Sequence, residues 1–89
     1  MYFSEWKEEP DGSYYESKVS LELGFPPIIL ARAVKNSDGE YEPVIRCAIS
    51  GRMLDNPVFK KDKNPVYVQH ILIHAVYNYI KYHANPMIF

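Results

Sequence analysis

The stretch Asn64–His83, NPVYVQHILIHAVYNYIKYH, constrains this chain most, because it reads as a long helix with its own start and stop signals. Asn64 is a favoured N-cap, whose side-chain oxygen accepts from a free amide of the first turn. Pro65 suits the first helical position, where its missing N–H is no loss. At the far end Asn85 precedes Pro86, and the residue before a proline is pushed out of the helical region. Lys81 and His83 fall in the last turn, where positive charge favours the helix dipole. The spacing predicts a helix over 65–83, a rod of about 28 Å.

At helical spacing Val68, Ile71, Leu72, Ala75, Val76, Tyr79, Ile80 and Tyr82 spread over one broad side. Tyr67, His70, His74, Tyr77, Asn78 and Lys81 gather on the other. A helix with one wide apolar face needs a layer to cover.

The preceding residues supply that layer as strands. Residues 2–8 read as a first strand, closed by the type I turn signal Glu9-Pro10-Asp11-Gly12. Residues 13–23 alternate, with Tyr15, Val19, Leu21 and Leu23 on one face and Glu16, Lys18, Ser20 and Glu22 on the other. Gly24-Phe25-Pro26-Pro27 breaks the run. Residues 28–35 are apolar on both faces and read as a central strand. Asn36-Ser37-Asp38-Gly39 is a hairpin turn, and residues 41–49 return as the fourth strand, with Pro43 confined to an edge or bulge. Residues 50–64 form a long connection, in which Arg52 to Asp55 reads as one helical turn. The expected fold is α+β: a four-stranded antiparallel sheet, a long loop, and one C-terminal amphipathic helix on one sheet face.

This order gives two candidate surfaces. If Ile29, Ala31 and Ala33 face the helix, then Ile28, Leu30, Arg32 and Val34 face away. If Ile45, Cys47 and Ile49 face in, then Val44, Arg46 and Ala48 face out. An outer apolar strip edged by Arg32 and Arg46 results, unless Met53, Leu54, Val58 and Phe59 fold over it. An exposed strip of that kind marks an interface, and a homodimer through it is one expectation. The polar side of the helix is the other surface. A solvated face is rich in Glu and Lys, whereas this one is mostly Tyr and His, as contact surfaces are. The apolar tail Met87, Ile88 and Phe89 also needs a packing partner.

Eighty-nine residues give room for one modest core, and a net charge of −1 leaves no global pull toward nucleic acid or acidic membranes. The N-terminus lacks the basic start and apolar run of a signal peptide, and no stretch is apolar enough to span a bilayer. The lone Cys47 cannot form an internal disulfide, so a reducing, cytoplasmic setting is the simpler expectation.

His70 and His74 stand four apart on one helix face, a spacing that can seat two imidazoles on one zinc ion. Ile71 occupies the place of the glutamate that a zinc protease needs as its base. A structural zinc site needs two further ligands, with His83 on the opposite side of the helix and Cys47 on the sheet, so no metal or cofactor is expected. Cys47 lies among Ile45, Ala48 and Ile49 and reads as a small core residue, not a nucleophile. The acidic residues are dispersed, and no pair is spaced for acid–base work. No enzymatic activity is expected.

Four strands followed by a helix resemble, in order alone, single-strand-binding domains of the whirly type. That resemblance implies binding of single-stranded nucleic acid on the sheet face, with Tyr14, Tyr15 and Lys18, or Arg32 and Arg46 with Lys60, Lys61 and Lys63, as stacking and charged groups. Glu5, Glu16 and Glu22 dilute the same surfaces. The leading expectation is a small non-enzymatic protein-binding module that occupies a surface of another protein. An accessory or inhibitor protein of a phage or other mobile element fits that size and chemistry.

Overall fold

The computed structural model describes residues 1–84. The Asn85–Pro86 helix stop and the Met87–Phe89 tail lie outside the described residues. The chain forms an antiparallel sheet with one C-terminal helix packed on it, an α+β architecture with more strands than the four expected. The strands are β1 (Tyr2–Phe3), β2 (Lys7–Glu8), β3 (Tyr14–Ser20), β4 (Ile29–Lys35), β5 (Tyr41–Cys47) and β6 (Met53–Asp55). A short 3-10 turn at Val58–Lys60 precedes α1 (Pro65–Ala84). The sheet order is β1-β3-β4-β5-β6, with β2 also paired to β3.

The expected first strand is split because its two halves pair with β3 in different registers. Phe3 lies opposite Val19, whereas Lys7 lies opposite Glu16, so the first strand carries one extra residue between them. Ser17, the buried polar side chain of the core, donates its hydroxyl to the Ser4 carbonyl in this bulge at 2.7 Å. The hydrogen bond satisfies a group that would be costly to bury alone.

The central rungs run Tyr15–Ala33–Pro43, Ser17–Ala31–Ile45 and Val19–Ile29–Cys47. These residues face α1. The buried cluster joins Val19, Ile29, Ala31, Ala33, Tyr41 and Ile45 from the sheet to Val68, Leu72 and Val76 from the helix. The two alanines of β4 let the helix approach closely, with Leu72 filling the space above them. Met1, Phe3 and Trp6 close one side of this core and Leu54 packs against it too.

Several strand ends differ from the alternation. β3 stops at Ser20, and Leu21 and Leu23 are exposed. Their would-be partners lie before Ile29, where Pro26 and Pro27 keep the chain off the ladder. Ile49 sits beyond the end of β5 in a turn and is also exposed, not facing inward. Arg52 to Asp55 is not a helical turn: Met53–Asp55 extends the sheet as β6, and the helical turn comes later at Val58–Lys60. Pro43 is tolerated because its ring nitrogen points away from β4. That side of β5 is bonded at Tyr41 by Asp62 and from Ile45 by β6, and the chain swings clear between them.

Asp62 also sets the helix start. Its backbone pairs with Tyr41, and its carboxylate accepts from the Asn64 amide at 2.8 Å. The Asn64 side chain then accepts from the Val66 amide at 2.9 Å, the N-cap bond the sequence predicts. From there α1 crosses β4 and β5 toward the Cys47 end of the sheet. A helix of 20 residues spans about 30 Å, against about 23 Å for a strand of seven. Its last turns therefore overhang the sheet.

Candidate functional site

The outward face of α1 carries Tyr67, His70, His74, Tyr77, Asn78 and Lys81, all exposed. The helix positions them because the opposite side, through Val68, Leu72 and Val76, is fully buried against the sheet. This face is unlike an ordinary solvated one. It has one charged side chain, Lys81, and its aromatic rings stand in water beside the exposed Val66. The ion pairs among the described residues are Arg32–Glu16 and Lys61–Glu40, and neither lies on it. Tyr77 occupies one flank, with its ring centroid 6.2 Å from that of Phe3. The six residues thus form one continuous surface from the first turn to the last.

The second candidate surface is altered. Leu30, Arg32, Val34, Val44 and Arg46 do share the sheet face turned away from α1, with Arg32 opposite Val44 and Leu30 opposite Arg46. Ile28 does not: it lies before the first residue of β4 and packs against the core on the helix side. Nor is the strip open. Val44 is only 4% exposed. Leu30 and Val34 are half-buried, and the two arginines beside them are engaged. The Arg32 guanidinium binds Glu16 at 2.7 Å and lies 4.5 Å above the Tyr14 ring, while Arg46 donates to the Gly51 carbonyl at 2.8 Å. The Arg32 stem lies on the rung with Val44, next to apolar surface of the kind that arginine stems cover. Met53, Val58 and Phe59 are exposed and do not fold over the strip, so the 50–64 connection extends the sheet edge instead of covering its face.

Near the overhanging end of α1, Tyr79 stacks on His83 with ring centroids 4.2 Å apart. Two shallow clefts flank this pair. One, of about 310 Å³, is lined by Leu21, Ile28, Leu54 and Ile80. The other, of about 240 Å³, lies between the helix and Asp55, Pro57 and Lys60. The sequence did not single out this end. Its signal is the placing of Leu21, Leu23 and Phe25 in a turn beside Gly24, where polar residues are usual.

The histidine pair stays on the outward helix face, and among the described residues no three His, Cys, Asp or Glu side chains converge as a ligand set. Cys47, at the end of β5, is partly buried. The Ser50 hydroxyl and the Ser50 and Ile49 amides draw its thiol below the usual range, with Arg52 adding a smaller effect. Those groups belong to the turn that follows β5, and no histidine is among them. No protein-family model, curated protein or solved structure matches the chain. The functional reading therefore rests on the geometry of its surfaces.

Proposed function

We propose that this protein is a non-enzymatic binding module that occupies a surface of another protein with the outward face of α1. The observation that carries the proposal is the composition of that face. Tyr67 and Tyr77 are each half exposed, His70 and His74 stand between them, and a single charge borders them. Tyrosine brings large contact area with few rotatable bonds, so burying it against a partner costs little entropy. Histidine adds donors and acceptors to the same area. The alternative surface, the outer sheet face, has Val44 buried, Leu30 and Val34 half-buried, and its Arg32 charge matched by Glu16. A protein that acts by masking a partner's surface, as accessory and inhibitor proteins of mobile elements do, needs no more than this.

Alanine substitution with a partner isolated from the native host tests the reading. Tyr67→Ala and His74→Ala are each expected to weaken binding by roughly tenfold or more, with an unchanged melting temperature. Tyr77→Ala weakens binding as well and also loosens the contact with Phe3. Retained affinity in a Tyr67→Ala/His74→Ala double variant rules this face out.

A further inference from the structure

Two imidazoles on the outward face of α1 are placed to act together. His70 and His74 stand four residues apart, so their Cβ atoms are about 5–6 Å from each other on one side of the helix. Both are exposed. The backbone that carries them is held in place, because Val68, Leu72 and Val76 of the same turns are fully buried against the sheet. Nitrogens that hold one zinc ion lie about 2.0–2.1 Å from it, which puts two of them about 3 Å apart. Rings rooted at the separation of this pair reach that distance by leaning together. The helix itself does not have to move.

The surroundings leave both rings available. The side-chain hydrogen bonds and ion pairs among the described residues involve neither of them. α1 carries no Asp or Glu, so no carboxylate of the helix ties up an imidazole. Lys81, the one cation of the face, is seven residues beyond His74, about 10 Å along the axis and exposed to solvent, where its repulsion of a bound ion is weak. His83 is no third ligand, since it stands on another side of the helix and stacks on Tyr79 at 4.2 Å. Cys47 sits at the end of β5, where its thiol accepts from Ser50.

Imidazole nitrogen suits Zn²⁺, Cu²⁺ and Ni²⁺, whereas Mg²⁺ and Ca²⁺ take oxygen ligands. We propose that His70 and His74 form a two-point site for one divalent transition-metal ion of the first group. It differs from the closed four-ligand site of a structural zinc. The remaining positions of the ion face outward, open to water or to a carboxylate, thiolate or imidazole of another molecule. Uptake of the ion does not rest on that face meeting a partner protein.

Calorimetric titration of the full chain alone with zinc, above neutral pH because only neutral imidazole ligates, tests the site. The expected result is one ion per chain and no heat from magnesium at the same concentration. Loss of a group that merely supports a ligand costs about 10–100-fold in metal affinity, so His70→Ala and His74→Ala should each cost roughly tenfold or more. Both change exposed side chains and should keep the wild-type circular dichroism. His83→Ala should leave zinc affinity unchanged. Zinc should raise the melting temperature of the wild type and raise that of either variant much less. The copper(II) form should show two imidazole nitrogens in its electron paramagnetic resonance spectrum. No zinc uptake at submillimolar concentration overturns the inference. So does an affinity that survives either substitution, one that falls as far in His83→Ala, or a copper spectrum with a single nitrogen.

Discussion

Truncating Leu72 removes the side chain that joins the helix to the sheet. Leu72 is fully buried in one cluster with Ala31, Ala33, Ile45, Val68 and Val76. In Leu72→Ala the space left behind cannot be refilled from below, because Ala31 and Ala33 have no side chain to extend into it. Ile45 is held by pairing with β4 and β6, and Val68 and Val76 are fixed one turn away on the helix. Leu→Ala changes in cores cost about 2–5 kcal/mol, and a site that cannot collapse falls in the upper half, about 3.5–5 kcal/mol. A chain of 89 residues has about 4–13 kcal/mol in total, so this one change removes a large share. At roughly 4–8 °C per kcal/mol the melting temperature should fall by about 14–40 °C. Urea unfolding followed by far-ultraviolet circular dichroism gives the free energy directly, with His74→Ala as an exposed control expected within about 0.5 kcal/mol of wild type. A Leu72→Ala loss below about 1 kcal/mol would refute the packing described, since no buried leucine facing two alanines is that dispensable.

Three further outcomes follow from the same structure. Arg32→Ala removes the ion pair with Glu16 and uncovers Val44, and should cost about 1 kcal/mol in urea unfolding while increasing binding of a hydrophobic dye. Asn64→Ala removes the bond from the Val66 amide and should cost about 1 kcal/mol, with faster hydrogen exchange confined to the first turn of α1. Asp11 is held below the usual carboxylate range, first by the Ser13 hydroxyl and then by the Ser13 amide at 2.9 Å. Its folded pKa is depressed, so its contribution is present at neutral pH and is lost as acid protonates it. In an NMR titration its carboxyl should titrate below the ordinary aspartate range, and in Ser13→Ala it should move back up.

The helix was the most legible part of the sequence. Its cap bond at Asn64, its buried line Val68–Leu72–Val76 and its exposed tyrosines and histidines follow from local chemistry and a period of 3.6. The cores of the three long strands were legible too, because alternation and the Asn36–Gly39 turn are local signals. What was not legible depends on pairing. Leu21 and Leu23 continue the alternating pattern of β3, yet they have no strand to pair with, and periodicity cannot report a missing neighbour. The bulge after Phe3 exists only in the register of β1 and β2 against β3. β6 is three residues long, too short to show any period. On the outer face the sequence placed Leu30, Val34 and Val44 correctly. That Arg32 stands beside Val44 and Arg46 beside Leu30 becomes visible only once β4 and β5 are aligned.

The outward face of α1 is the surface that we propose this protein presents to its partner. A photoreactive amino acid at position 74, compared with one at position 18 on the outer sheet face and one at position 23 on the overhanging end, tests it most directly. Cross-linking to the partner at position 74, lost when Tyr67→Ala is added and absent at position 18, is the predicted result. Cross-linking at position 18 with none at position 74 would contradict the claim and move the binding surface to the sheet.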